Sequence, residues 1–196
     1  WHTPKHISFA SSHPGKKPFD VVRLPYGEQV LWPDHCVQGT NGAELSKNLA
    51  IPNAQLVIRK GFHADVDSYS ALLEADKKTN TGLTGYLKER GISVGVATRN
   101  CRDAVLESFP DIQSFCDTLV TRESTRRVKP DPEQILMALR ALHVDAGLSA
   151  MVGDHPMDIQ AGRRAGSFTV GVLTGYSSAD TLTGAGANLI IEIVPA

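Results

Sequence analysis

The stretch GISVGVATRNC, residues 91–101, decides the fold. The apolar and β-branched run over residues 93–98 predicts a strand, and residues 101–109 follow as a predicted helix. A strand that feeds a helix through a tight turn is typical of open α/β sheets, where ligands lie outside the carboxyl ends of the strands. Thr98 and Cys101 are therefore expected at such an edge. Cys101 is either a thiol stabilised as a thiolate at a helix N-terminus or a small buried packing residue.

Strands and helices alternate regularly after this point. Further strands are predicted over residues 117–121, 149–153, 168–173 and 188–193, and further helices over residues 131–143, 156–165 and 178–184. Pro132 and Pro156 lie at first-turn positions, where the missing N–H costs nothing. This alternation predicts a three-layer α/β/α, Rossmann-like fold with a mostly parallel sheet.

The first 53 residues contain six prolines, which exclude long helices and central strands. We interpret this segment as an ordered, proline-rich loop arm. A buried strand is predicted over residues 54–59, and a helix over residues 81–90 that ends at Gly91. A right-handed crossover through that helix would place strand 54–59 beside strand 93–98, with Lys60 and Cys101 at the same sheet edge.

Composition limits the classes of function. The chain has 196 residues, a net charge of −1, 21% charged and 41% hydrophobic residues, which argues against nucleic-acid binding and against disorder. No apolar run approaches membrane-spanning length. Three cysteines do not form a disulfide framework, so we expect reduced thiols and a cytoplasmic location. The expected substrate is a small molecule. The sequence begins at Trp1 rather than Met, so further residues are expected upstream. Oligomeric state stays open.

The N-terminal half carries specific segments: WHTPKHISFASSHPGKKPF (1–19), VLWPDHCVQGTNGAEL (30–45), LVIRKGFHADVDSYS (56–70) and TGLTGYLKERGI (81–92). Through these, residues 1 to about 92 resemble a nicotinamidase of the isochorismatase-like hydrolase family. The resemblance implies a divalent metal, often zinc, held by an Asp-x-His pair and a second His. His2 and His35 match the two histidines, and the Asp would precede Trp1.

The same resemblance implies two catalytic residues. Lys60 matches the catalytic Lys of the family, and Cys101 matches its nucleophile within a Gly-apolar-Ala-Thr-x-x-Cys pattern at residues 95–101. Arg99-Asn100 stands where the family usually has Asp-aromatic. The general-base Asp belongs to a first strand that this sequence does not contain, so we expect amidase activity to require an upstream segment carrying a carboxylate.

The C-terminal half carries a second set of segments: GVATRNCRDAV (95–105), RRVKPDPEQIL (126–136), AMVGDHPMDIQAGRRAG (150–166) and TVGVLTGYS (169–177). Residues from about 91 to 196 resemble the C-terminal half of a haloacid-dehalogenase-type phosphatase of the phosphoglycolate-phosphatase kind. The resemblance implies that Thr98 contacts phosphate, Lys129 balances its charge, and Asp154 and Asp158 hold Mg²⁺. The sequence lacks the family's Asp-x-Asp nucleophile motif, which follows an apolar strand. Asp65-Val66-Asp67 has the residue types of the motif but no strand before it.

Simpler roles stay open for several residues. Asp154 could cap the helix that starts at Pro156, and Lys129 could be a surface lysine. The remaining histidines are expected on the surface or supporting a site from outside it, namely His6, His13, His63, His143 and His155. Cys36 and Cys116 are expected to be packing residues.

The chain is therefore predicted to be a composite, or chimera. Residues 1–92 form a partial nicotinamidase-like segment and residues 93–196 a partial haloacid-dehalogenase-like core, merged in one α/β domain. Strand 93–98 fits the phosphatase pattern without a gap, so coincidence is an alternative reading of the Cys101 match. The first hypothesis is an amidohydrolase that converts nicotinamide to nicotinate and ammonia. The second is an Mg²⁺-dependent phosphatase on a small phosphate ester, and the third is a catalytically silent chain.

Overall fold

A computed structural model describes residues 1–45 and 54–191 of the chain. The chain divides into two compact units, a first unit over Trp1–Arg90 and a second unit over Gly91–Pro195. Within the described ranges, every helix is too short or too polar to cross a lipid bilayer.

The first unit is built mainly from ordered loops. Its regular elements are strands β1 (Val21–Leu24) and β2 (Gly27–Val30) and helix α1 (Leu83–Glu89). The two strands pair in antiparallel register, with Leu24 opposite Gly27, so that Pro25 and Tyr26 form the turn between them. This hairpin lies in the segment predicted to be mostly loop, without long helices or central strands. It is compatible with the prolines because neither strand contains one and Pro25 lies in the turn.

The prediction of a strand over residues 54–59 is wrong. The backbone there has no ladder partner among the described residues, and Leu56 and Val57 are 43% and 49% exposed. A β-branched apolar run becomes a strand only when a neighbouring strand accepts its hydrogen bonds and covers its side chains. Neither condition is met within the first unit, so the run stays irregular.

Apolar burial holds the proline-rich arm in place. Phe9 and Leu31 are fully buried, and an isolated parallel bridge joins Phe9 to Trp32. A second bridge joins His2 to Val37. The start of the arm is thereby folded onto residues 23 and 35 positions further along the chain, which brings its polar side chains into a shared interior.

The second unit follows the predicted alternation closely. Its elements, in chain order, are β3 (Gly95–Ala97), α2 (Arg102–Ser108), β4 (Thr118–Val120), α3 (Glu133–Leu142), β5 (Ala150–Gly153), α4 (Pro156–Ala165), β6 (Phe168–Val172), α5 (Ala179–Gly184) and β7 (Leu189–Ile191). The predicted α/β class and the parallel strands are confirmed. Within the described part of the unit, β3 pairs with β4, and β5, β6 and β7 form a second parallel ladder.

Local signals explain where the helices of the second unit begin and end. Pro156 occupies the first turn of α4, and Gly166 ends that helix with a φ of +87° that favours glycine. The Ser178 side chain accepts a hydrogen bond from the Thr181 N–H at the start of α5. The core of the unit forms where α3 and α4 meet, around Ile135, Leu139, Ala161 and Ala165.

Candidate functional site

A cluster of imidazoles and a carboxylate lies inside the first unit, and we call it the histidine cluster: His2, His6, His35 and Asp67. One potential ligand atom from each of His2, His6 and Asp67 lies within 4.8 Å of the others. The rings of His2 and His35 are 4.7 Å apart between centroids. The structure therefore brings together both histidines that the sequence predicted as metal ligands.

The loop that follows residue 60 packs directly on His2. Gly61 accepts a hydrogen bond at its carbonyl from the Thr3 N–H, at 3.3 Å, and has a φ of +75°. A Cβ atom at Gly61 would lie 2.5 Å from Nδ1 of His2, so only glycine fits there. The exposed Lys60 immediately precedes Gly61 and is therefore adjacent in sequence to a residue that packs on the histidine cluster.

His2 combines a neutral ring with a buried nitrogen that lacks a hydrogen-bond partner within the described ranges. Burial and the neighbouring His6 imidazole lower the pKa of His2 to about 4, so the ring is neutral at pH 7 and keeps its lone pair. Its Nδ1 atom is buried and has no hydrogen-bond partner in the described part of the chain. A buried polar atom without a partner is uncommon in folded proteins.

His6 and Asp67 are the residues of the cluster that sequence reasoning missed. The alternative of a surface position for His6 is wrong, because His6 is fully buried. Its Nε2 lies 3.1 Å from the Val66 carbonyl and its Nδ1 2.8 Å from the Ser8 hydroxyl. Asp67 is also buried and accepts a hydrogen bond from Nε2 of Gln29 at 3.0 Å. Asp67 comes close to His2 and His6 only when the proline-rich arm folds, and no local sequence signal predicts that contact.

Lys60 lies in the first unit and Cys101 in the second, so their proximity stays a prediction. Cys101 is half-buried and is the N-cap of α2, without a side-chain capping hydrogen bond. It is therefore neither a helix-interior residue nor fully buried. Cys36 and Cys116 are likewise half-buried free thiols.

A second group of predicted residues lies in the second unit, and we call it the lysine–aspartate site: Thr98, Lys129, Asp154 and Asp158. The Lys129 ammonium is 2.6 Å from a carboxylate oxygen of Asp158 and donates a hydrogen bond to the Ala97 carbonyl at 2.8 Å. The side chain of Lys129 is only 11% exposed, so the alternative of a surface lysine is wrong. The contact brings the loop before α3 to the first turn of α4 and to the end of β3.

Thr98 and Asp154 stand at the carboxyl ends of β3 and β5. The Thr98 hydroxyl accepts a hydrogen bond from the Asn100 N–H at 3.1 Å. Asp154 does not cap α4, because Nδ1 of His155 accepts the bond from the Met157 N–H instead. The alternative role for Asp154 is therefore also wrong.

Two glycines permit the close packing of the acidic residues. The position that a Cβ would take on Gly153 is already filled by the side chain of Asp158. A Cβ on Gly175 would lie 2.7 Å from a carboxylate oxygen of Asp154. Both carboxylates thus lie against bare backbone, a use of glycine that the sequence motif by itself does not reveal.

Comparison with known proteins matches both halves of the chain. A family model described as haloacid dehalogenase-like hydrolase matches residues 67–172. A nicotinamidase of Acinetobacter baylyi is 65% identical over 105 residues, which are 52% of this chain and 49% of that protein. A nicotinamidase of Saccharomyces cerevisiae is 30% identical over 150 residues, which are 69% of this chain and 68% of that protein. The nicotinamidase matches at high identity fall on the N-terminal half.

Relatives of the other kind match the rest of the chain. The pyrophosphatase PpaX of Bacillus velezensis is 36% identical over 108 residues, 54% of this chain and 50% of that protein. A solved hydrolase from Pseudomonas syringae matches with a TM-score of 0.52 and 27% identity, over 56% of this chain and 51% of that chain.

The chain spans about half the length of the bacterial relatives named here. Each kind of relative therefore shares only part of its sequence with this protein. The two kinds of match agree with the two sets of motifs. The chain belongs to the haloacid dehalogenase-like hydrolases through residues 67–172 and to the nicotinamidases through a match that covers 69% of the chain.

Proposed function

We propose that the first unit is the metal-binding part of an amidohydrolase that converts nicotinamide to nicotinate and ammonia. The observation that supports this most is that His2, whose Nδ1 is buried and unpartnered among the described residues, belongs to a cluster of nitrogen and carboxylate donors. Imidazole nitrogen and carboxylate oxygen suit zinc and other borderline divalent metals. His2 and Asp67 would hold the ion together with His35, whose ring lies 4.7 Å from that of His2. His6 would fix the cluster, since both its nitrogens already have protein partners.

The chemistry divides between the metal and the side chains. A bound divalent metal would supply a Lewis acid that polarises the amide carbonyl. The Cys101 thiolate would attack that carbon, the C–N bond would break with release of ammonia, and water would hydrolyse the resulting thioester. The resemblance assigns the role of the catalytic lysine to Lys60, and a cation of this kind favours a thiolate. Ammonia leaves with a proton that a carboxylic acid must donate.

Ammonia release from nicotinamide tests this proposal in a chain extended upstream by a segment that carries the carboxylate, as wild type, Cys101→Ala, Cys101→Ser and Cys116→Ala. Turnover should be lost in Cys101→Ala and nearly lost in Cys101→Ser, because a serine hydroxyl is far harder to ionise than a thiol. Cys116→Ala is the matched control, since Cys116 is also a half-buried free thiol. Ammonia release that persists in Cys101→Ala would exclude the amidase mechanism.

We also propose that the second unit binds Mg²⁺ together with a small phosphate ester. The supporting observation is the buried contact between Lys129 and Asp158 beside the end of β3. Asp154 and Asp158 would hold Mg²⁺, which prefers oxygen ligands and would neutralise phosphate charge. The Thr98 hydroxyl would donate to a phosphate oxygen. The sequence lacks the family's Asp-x-Asp nucleophile, so we expect the site to bind the phosphate ester but to hydrolyse it poorly.

Phosphate release from a small phosphate ester separates the two proposals. It should fall in Lys129→Ala and Asp154→Asn and stay unchanged in Cys101→Ala, which has no part in phosphoryl transfer. Phosphate release that is insensitive to Lys129 would exclude the second proposal. A cooperatively folded chain that turns over neither substrate would support the catalytically silent composite.

A further inference from the structure

One buried amide ties together the parts of the lysine–aspartate site. Gln134, the second residue of α3, is completely buried. Its Nε2 donates to the Thr98 carbonyl at 2.7 Å and to the Thr121 carbonyl at 3.1 Å. Its Oε1 accepts from the Lys129 N–H at 3.3 Å. Both side-chain N–H groups and the side-chain carbonyl are therefore engaged.

The three hydrogen-bond partners of Gln134 lie at positions where no helix or strand holds the backbone. Thr98 and Thr121 are the first residues after the neighbouring strands β3 and β4, and Lys129 lies in the loop before α3. The chain leaves regular structure at each of these positions. A single side chain on a helix thus fixes two strand ends and one loop, so their spacing follows the rigid α3 rather than the loops.

The backbone at the end of β3 is held twice. Lys129 donates its ammonium hydrogen to the Ala97 carbonyl, and Gln134 donates its amide hydrogen to the next carbonyl, that of Thr98. The same set of hydrogen bonds consequently holds the residue that carries the Thr98 hydroxyl and the residue that carries the Lys129 ammonium. Loss of the Gln134 amide would leave the Thr98 carbonyl and the Lys129 N–H without a described partner, whereas the Thr121 carbonyl would keep its bond from the Ser124 N–H.

We propose that Gln134 is a positioning residue that sets the spacing between the Thr98 hydroxyl and the Lys129 ammonium for a bound phosphoryl group. The inference rests on the phosphate site proposed above. Gln134 itself would not touch the ligand, because it is fully enclosed. A purely structural role would affect stability alone, whereas a positioning role also affects phosphate affinity and the environment of the Lys129 ammonium.

The test compares Gln134→Met, which keeps side-chain length and removes all three hydrogen bonds, with Thr169→Val. Thr169 is a matched control because it is also fully buried in the second unit and donates to the Gly186 carbonyl or to Oδ1 of Asn188. Binding of inorganic phosphate with Mg²⁺ is measured by calorimetry. The side-chain ammonium signal of Lys129 is followed by NMR without ligand.

Gln134→Met should weaken phosphate binding by about tenfold or more and broaden or remove the Lys129 signal. Thr169→Val should lower the melting temperature but leave both readouts unchanged. Equal phosphate affinity in Gln134→Met and wild type would overturn the proposal, and so would equal losses in both variants. If wild type does not bind phosphate, the phosphate site itself fails, and an unchanged Lys129 signal in Gln134→Met then overturns the positioning role separately.

A measurement on the wild-type chain covers the case in which Gln134→Met does not fold. Addition of Mg²⁺ and phosphate should shift the NMR signals of the Gln134 side-chain amide, because its partners hold the ligand. The side-chain amide of Asn188, which pairs with Thr169, should not shift. Unshifted Gln134 signals at saturating phosphate would overturn the proposal.

Discussion

The ammonium of Lys129 and the carboxylate of Asp158 lie 2.6 Å apart, with side chains only 11% and 13% exposed. One residue comes from the loop before α3 and the other from the first turn of α4. An ion pair with so little exposure differs from a surface salt bridge, since each charge depends on its partner for the solvation that it has lost.

Removal of one charge of this pair should destabilise the second unit strongly. Asp158→Asn leaves the Lys129 ammonium buried with the Ala97 carbonyl as its remaining described partner. We expect a loss of roughly 3–5 kcal/mol in the free energy of unfolding, the usual cost of breaking a buried ion pair. Chemical denaturation of wild type and variant measures it.

The double variant Lys129→Met/Asp158→Asn is the control for that loss. With both charges removed, most of the stability should return, because no uncompensated buried charge is left. A double variant less stable than Asp158→Asn would show that the two side chains contribute through packing rather than through their charges.

Mg²⁺ and phosphate should raise the melting temperature of wild type but not of Asp154→Asn. Binding to the folded state stabilises it by about 2.7 kcal/mol at a ligand concentration one hundred times the Kd. Asp154→Asn removes one carboxylate that would hold the metal. Asp145→Asn, at an exposed residue of the same unit without a side-chain capping bond, should keep the full shift. A shift that survives in Asp154→Asn would place the ion elsewhere.

Gly61→Ala should damage the histidine cluster as well as the backbone. Both Gly61 and Gly39 have positive φ values, +75° and +79°, so alanine at either should cost roughly 1–2 kcal/mol. Only at Gly61 would the new Cβ meet the His2 ring, whereas Gly39 has nothing within 4 Å. Titration with Zn²⁺ should therefore show weaker binding in Gly61→Ala and unchanged binding in Gly39→Ala. Equal zinc affinity in both variants would contradict the packing of Gly61 on His2.

Glu133 should make the second unit sensitive to acid. The Arg126 and Arg127 N–H groups donate to its carboxylate at 3.1 and 3.0 Å, and these bonds lower the pKa of Glu133. A lowered pKa in the folded state gives stability that is complete above the ordinary Glu pKa of about 4.3 and is lost as pH falls through the folded value.

Thermal melts across pH check this expectation. Glu133→Gln should melt below wild type at pH 7, and the difference should shrink as the pH falls below about 4.3. Glu107→Gln, at an exposed residue of α2, should show no such trend. A difference between Glu133→Gln and wild type that stays constant down to pH 2 would rule out the carboxylate as its source.

The candidate sites were predictable only in part. His2, His35, Lys129 and Asp158 were named from motifs, and the structure places them in contact within each pair. Asp67 and Gln134 were not, because their roles come from contacts with residues 65 and 36 positions away. Short motifs record neighbours in sequence, whereas these two residues act through long-range packing.

The sequence by itself determined the α/β class and, within the described part of the second unit, every α-helix and strand to within a few residues. Apolar periodicity, Pro156 in the first turn of α4 and Gly166 after it are local signals that the unit obeys, whereas Pro132 lies one residue before α3 as its N-cap. Only the tertiary structure decided that residues 54–59 are not a strand, that residues 21–30 form a hairpin, and that His6 is buried. Strand pairing and burial depend on which distant segment covers a given run, and that physical information is absent from the run itself.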